Sequence, residues 1–255
     1  CEDAAVIGAP FFVTGFVDGV VHHDRATTEA ESGPAERATM ARSMVAVLAD
    51  LHAVDPATTG LEGHGRRGRY LERQLRRWDE QYRATAPSVL VDMDIAHAAL
   101  LERLPPEGET VVVHGDFRLG NCIFGDDGQV AAVVDWEIST LGDPLADLGF
   151  LLVTWARPGT EVGGLTEAVT LPTMAEGFPE ADELADAYAA RSGRDLSRLD
   201  WYVAFNHWRF ACIMQGVETR AREGALGTAD AEAVAGFATS VTERAALAVR
   251  ALDAG

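Results

Sequence analysis

The chain has 255 residues, 40 acidic and 21 basic, for a formal net charge of −19 and an isoelectric point near 4.6. That length fills one large domain or two small ones, and 47% hydrophobic residues supply a core. The negative excess repels nucleic-acid backbones and anionic membranes, so neither is an expected partner, and no apolar run approaches the roughly 20 residues of a membrane span.

Three widely spaced cysteines (Cys1, Cys122, Cys212) predict reduced thiols and a cytoplasmic protein rather than a disulfide scaffold. Every basic residue is an arginine. With no lysine, the chain cannot complete a Schiff base, a lysine phosphate clamp or a P-loop.

Residues 1–20 read as strand material: Phe11, Phe12, Val13, Phe16 and Val17 are β-prone, and Asp18-Gly19 supplies a turn. Ser32-Gly33-Pro34 breaks the pattern, and Met40, Met44, Val47, Leu48 and Leu51 then recur at helical spacing up to His52. A Gly-rich loop runs from Asp55-Pro56 through Gly68. Inside it, residues 63–68 match G-x-G-x-x-G, but no apolar strand leads in, so they read as an interhelical loop and not a phosphate cradle. Helices are predicted from about Arg69 to Tyr82 and from Asp94 to Leu104, ahead of Pro105-Pro106.

Val111–Val113, Asn121–Phe124 and Val130–Val134 are strand-length runs, the last two joined by the Gly125-Asp126-Asp127-Gly128 turn. After Asp143-Pro144, helical periodicity returns near 144–156, 180–192, 197–222 and 228–252. The prediction is an α+β chain, mostly helical, with a small β insertion at its centre.

The chemistry concentrates between Val111 and Asp147. His114-Gly115-Asp116 follows one strand, Asn121 lies five residues beyond Asp116, and Asp135 ends the next long strand. Asp116 can take a proton from an attacking hydroxyl, while Asn121 and Asp135 offer the hard oxygen donors that Mg²⁺ prefers. Phosphoryl transfer needs this spacing, a base beside the nucleophile and close to the metal without being its ligand. Zinc is a weaker reading, because the remaining histidines form no cluster at ligand spacing.

The segment resembles the aminoglycoside phosphotransferase and choline kinase superfamily, relatives of the protein kinases. His-Gly-Asp is similar to the catalytic loop, and Asp-Trp-Glu stands where kinases carry Asp-Phe-Gly. The resemblance implies Asp116 as catalytic base, His114 as its support, Asn121 and Asp135 as Mg²⁺ ligands, and Asp147 as a buried brace of the loop. Glu137 offers a further metal or water contact. PFFVTGFVDG is similar to the hinge between kinase lobes, which implies that Gly15, Phe16 and Val17 meet the base of ATP or GTP, with Ile123 and Val134 packed beneath it. HGDFRLGN, DWEISTLGDPLADLG, YLERQLRRW and NHWRFACIMQGV resemble the phosphotransferase-like domains found alone in bacteria or fused to acyl-CoA dehydrogenases.

On that resemblance, the chain is a protein-kinase-like C-terminal lobe: residues 1–20 form the hinge strand and linker, and residues 21–255 the lobe. The N-terminal lobe with its phosphate-clamping lysine is expected to be absent, and the chain alone inactive. The implied function is ATP- and Mg²⁺-dependent phosphorylation of a small-molecule hydroxyl; the alternative is a non-catalytic kinase-like binding or scaffold module. Arg66, Arg67, Arg69, Arg73, Arg76 and Arg77 form a basic island that suits an anionic, hydroxyacyl-CoA-like acceptor, whereas the acidic body suits an aminoglycoside-like one. Glu137, Arg73, Arg77 and Trp208 are the expected substrate contacts, with Trp201, His207 and Arg209 on the same pocket-lining helix as Trp208.

Overall fold

The computed structural model describes residues 1–158, 171–225 and 231–254. Four helices precede the β segment: α1 (Arg25–Glu31), α2 (Pro34–His52), α3 (Tyr70–Thr85) and α4 (Val91–Glu102). Four short strands follow, β1 (Val111–Val113), β2 (Cys122–Phe124), β3 (Val130–Val133) and β4 (Thr140–Gly142). Helices α5 (Pro144–Val153), α6 (Ala181–Ser192), α7 (Leu199–Arg222) and α8 (Ala231–Ala254) complete the chain.

Local chemistry explains most boundaries. Asp24 caps α1 by accepting from the Thr27 amide, and Pro34 starts α2 at a position where a missing N–H costs nothing. Asp143 caps α5 by accepting from the Leu145 amide, with Pro144 as the first helical residue, and Gly193 ends α6 in the left-handed conformation. The sequence signals do not reveal α1 or β4: α1 (RATTEAE) has no large apolar residue to mark a face, and β4 (Thr-Leu-Gly) lacks the β-branched run that marks β1.

The β insertion is two separate antiparallel pairs. In β1–β4, Val111, Val112 and Val113 face Gly142, Leu141 and Thr140; in β2–β3, Cys122 and Ile123 face Val133 and Ala132. Helix α5 is buried along nearly its whole length and packs against β1 and α7. On α7, Trp201, Phe205, Trp208 and Cys212 repeat at helical spacing and are all at most 4% exposed. This stripe joins the core built by Met44 and Leu48 of α2, Leu75 of α3 and Leu100 of α4.

The N-terminal expectation fails in one respect. Residues 11–17 form no strand, and Phe12, Val13 and Phe16 are 85–90% exposed. Strand propensity is realised only against a partner, and the first residue to find one is Val20, which exchanges both backbone hydrogen bonds with Phe124 at 2.9 Å. Among the described residues no helix is long and apolar enough to cross a membrane.

Candidate active site

The site starts from one buried carboxylate. The cap at Asp143 fixes the first turn of α5 and with it Asp147, one turn on. Asp147 accepts from the amides of His114 (Oδ2, 2.6 Å) and Gly115 (Oδ1, 2.8 Å), the two residues leaving β1. His52, at the end of α2, lies 3.4 Å from Oδ2 and holds Tyr188 through its other ring nitrogen at 2.7 Å. Burial raises the carboxyl's pKa, but His52 and the two amides outweigh it and hold Asp147 below the usual carboxylate range.

The loop so anchored has a fixed shape. Gly115 takes φ +86°, where a Cβ would meet Ile138 at 3.1 Å, so only glycine sits there without strain. Its carbonyl accepts from Arg209 of α7 at 2.6 Å. His114 is buried; its Nδ1 accepts from the Asp116 amide (3.2 Å), so Nε2 carries the proton and donates to the Val134 carbonyl (2.9 Å).

Asn121 closes the constellation. Its side-chain nitrogen donates to the Asp116 carbonyl and to Asp116 Oδ2, both at 2.8 Å, while its backbone carbonyl accepts from the Val134 amide at 2.9 Å. His114, Asp116, Asn121 and Val134, scattered over twenty positions, are thus joined by hydrogen bonds. Asp135 follows directly, exposed and at φ +67°. A non-glycine residue in that region is strained by about 1 kcal/mol or more, and such strain is held where surrounding contacts over-determine it.

These donors fit a hard cation. With its nitrogen committed to Asp116, Asn121 has Oδ1 left to offer, and the Asp135 carboxylate is open to solvent. An amide oxygen and one carboxylate suit Mg²⁺ with phosphate and water completing its shell. Among the described residues no three His, Cys, Asp or Glu side chains gather at metal-binding distance.

Asp116 Oδ2 also faces Arg118 Nε at 3.5 Å, so Oδ1 is the oxygen left for a ligand. The residue sits on the wall of a cavity of about 330 Å³ whose other walls include His22, Phe150, Trp155, Phe210, Met214 and Arg244. That volume and its apolar lining suit a small-molecule site.

The remaining predicted residues lie as follows. Gly15, Phe16 and Val17 are on the extended N-terminal segment, and no atom stands within contact range of a Cβ at Gly15. Ile123 is half-buried on β2 and Val134 is 37% exposed. Glu137 is exposed three residues from Thr140.

Trp208 does not line the cavity. It is a core side chain, 1% exposed, with its ring stacked on His97 of α4 at 5.2 Å. Arg209, one residue on and about 100° around the helix, reaches the loop after β1 instead, at Gly115. Arg73 caps the Arg66 carbonyl (2.7 Å) and Arg77 lies over Trp78, both away from the cavity wall.

The loop at 63–68 has a role of its own. His64 Nε2 meets Ser139 Oγ at 2.9 Å, and Gly65 packs so tightly on Thr140 and Leu141 that a Cβ would fall 2.2 Å from Thr140 Oγ1. It buttresses the segment following Asp135. Sequence reasoning missed His52, Arg118, His22 and Arg244; a histidine closing the last turn of α2 and an arginine two residues past Asp116 were the local signals, whereas the contacts of Arg244 are long-range.

Comparison with known proteins adds three findings. A model of the phosphotransferase enzyme family (APH) matches residues 1–202. Acyl-CoA dehydrogenase family member 10 of Mus musculus is 34% identical over 250 residues, covering 96% of this chain and 23% of its own length. The chain spans under a third of the length of such curated relatives. Among solved structures, a candidate aminoglycoside phosphotransferase from Ralstonia eutropha superposes with TM-score 0.83 and 32% identity, over 100% of this chain and 76% of the other. A choline kinase from Streptococcus pneumoniae shares the fold at TM-score 0.56 and 14% identity, over 87% of this chain and 66% of its own.

Proposed function

Because the chain belongs to the phosphotransferase enzyme family, we propose that it transfers the γ-phosphoryl group of a nucleoside triphosphate, ATP or GTP, to a hydroxyl of a small molecule. The observation that carries this reading is the hydrogen-bonded constellation of His114, Asp116, Asn121 and Val134, with Asp135 beside it and a cavity opening at Asp116.

Asn121 Oδ1 and the Asp135 carboxylate would hold Mg²⁺, which when bound screens the phosphate charge. Asp116 Oδ1 accepts the proton of the acceptor hydroxyl as its oxygen bonds to phosphorus and the bond to the bridging β-phosphate oxygen breaks, leaving nucleoside diphosphate. Asn121 and Arg118, both on Oδ2, orient the carboxylate without consuming Oδ1. Asp147, Arg209 and His114 keep the loop rigid, which matters because misplacing a reacting group by about 1 Å costs about 100-fold in rate.

The cavity favours an acyl-type hydroxylated acceptor over a polycationic aminoglycoside: its walls are largely apolar, and the charges among them include Arg118 and Arg244. The curated relatives are named as acyl-CoA dehydrogenase family members, which agrees with a hydroxyacyl-type acceptor.

Phosphorylation is tested on the full-length gene product with Mg²⁺ and nucleotide, offering hydroxyacyl-CoAs, the free hydroxy acids and aminoglycosides in parallel. Transfer to hydroxyacyl compounds is expected; turnover of aminoglycosides alone would refute the acceptor. A melting temperature unmoved by nucleotide and Mg²⁺ together would favour a non-catalytic kinase-like module.

A further inference from the structure

Of the cavity's wall residues, the proposed transfer uses only Asp116 and Arg118. Two others, His22 and Arg244, are each 1% exposed and have no part in the chemistry above. Neither ring nitrogen of His22 has a hydrogen-bond partner, and Nε of Arg244 has none either. Arg244 Nη1 donates to the Val153 carbonyl (2.9 Å) and meets Nδ1 of His207 (3.0 Å), and the guanidinium lies over Phe210 at 4.5 Å.

No carboxylate among the described residues forms an ion pair with Arg244; Glu243 acts on it only through space. Burial lowers its pKa to about 10, so it stays charged at neutral pH, while burial and the arginine beside it bring His207 to about 3 and leave that ring neutral. A buried cation answered by one carbonyl, a neutral ring and an aromatic face is under-compensated, since buried charges in proteins are ordinarily paired. By contrast the buried Asp147 in the same molecule is met by two amides and a histidine.

We propose that Arg244 is the anion receptor of this cavity, and that the acceptor is a hydroxy carboxylate whose hydroxyl lies at Asp116 and whose carboxylate is received by Arg244. Apolar carbons between the two groups would lie against Phe150, Phe210 and Met214. His22, kept neutral chiefly by burial, has one N–H and one lone pair to give to the same molecule. This inference rests on Asp116 being the proton acceptor, and it replaces the CoA thioester with the free hydroxy acid, because a thioester has no carboxylate for Arg244 to receive.

The test is calorimetric binding to the chain, without nucleotide, of straight-chain hydroxy carboxylic acids of about four to ten carbons, with their methyl esters and the matching diols. The acids are expected to bind about tenfold or more tightly than the esters. Arg244→Met should abolish that preference and Arg244→Lys retain part of it, with melting temperatures recorded to separate lost preference from lost fold. The acid–ester comparison on the unaltered protein decides the matter even if both variants unfold. Equal affinity for acid and ester, or no binding of any acid, overturns the assignment. An acid bound through Arg244 but never phosphorylated by the full-length gene product upholds Arg244 and removes the transfer reading instead.

Discussion

Replacing Asp147 with asparagine isolates what one buried charge does for the loop that carries Asp116. The carboxylate receives two backbone amides, at 2.6 and 2.8 Å, and His52 at 3.4 Å, with no solvent to substitute for any of them. Asparagine keeps one oxygen and presents an NH₂ where the other stood. One buried amide loses its acceptor, at about 1–3 kcal/mol, and the surviving bond loses its charge assistance. Together with the lost His52 contact, Asp147→Asn should destabilise the protein by about 3–5 kcal/mol, a large part of a stability that is usually about 5–15 kcal/mol. Urea titration at pH 7 should show a lower midpoint at unchanged slope.

The pH dependence makes the test specific. Asp147 titrates below its ordinary 3.8 in the folded chain, so its contribution is complete above the unfolded value and is lost as pH falls through the folded one. Asparagine has no proton to gain, and the gap between the two proteins should therefore narrow below about pH 4. A difference under about 1 kcal/mol at pH 7, or one that persists undiminished in acid, would refute the assignment of Asp147 as the loop's charged anchor.

Three further outcomes follow from the same geometry. Asp116→Ala in the full-length gene product should lower kcat by about 100- to 10,000-fold while nucleotide affinity stays near that of the parent; retained turnover would remove the base. Gly115→Ala places a methyl 3.1 Å from Ile138 at φ +86° and should cost about 1–3 kcal/mol, read as a lowered urea midpoint; an unchanged midpoint would mean that the segment after Asp135 yields freely. Chelation of divalent metal should abolish transfer and Mg²⁺ restore it, as oxygen-only donors at Asn121 and Asp135 require; activity in excess chelator would argue against those two as ligands.

The local half of this protein is written in its chain. Pro34, the Met40-to-Leu51 spacing and His52 mark α2 from start to end, and Val111–Val113 is β1 as the run of valines indicates. Asp143-Pro144 announces α5 because a cap and a pre-set φ act within a few residues. The same reasoning misjudges residues 11–17, whose β-branched and aromatic content matters only once another strand lies beside it. It also groups Trp208 with Arg209, although neighbours on a helix point about 100° apart, one into the core at His97 and the other to Gly115.

The motif from His114 to Asp147 put the candidate residues in order, with their roles implied by resemblance. Spacing could not show that His52 braces Asp147 from 95 positions away, that Arg118 shares the carboxylate oxygen with Asn121, or that His22 and Arg244 wall the same cavity as Asp116. Caps, turns and periodicity are short-range and survive in the order of residues. Which distant side chains meet, and which buried charges are left under-compensated, is decided only when the helices pack and water is driven out from between them.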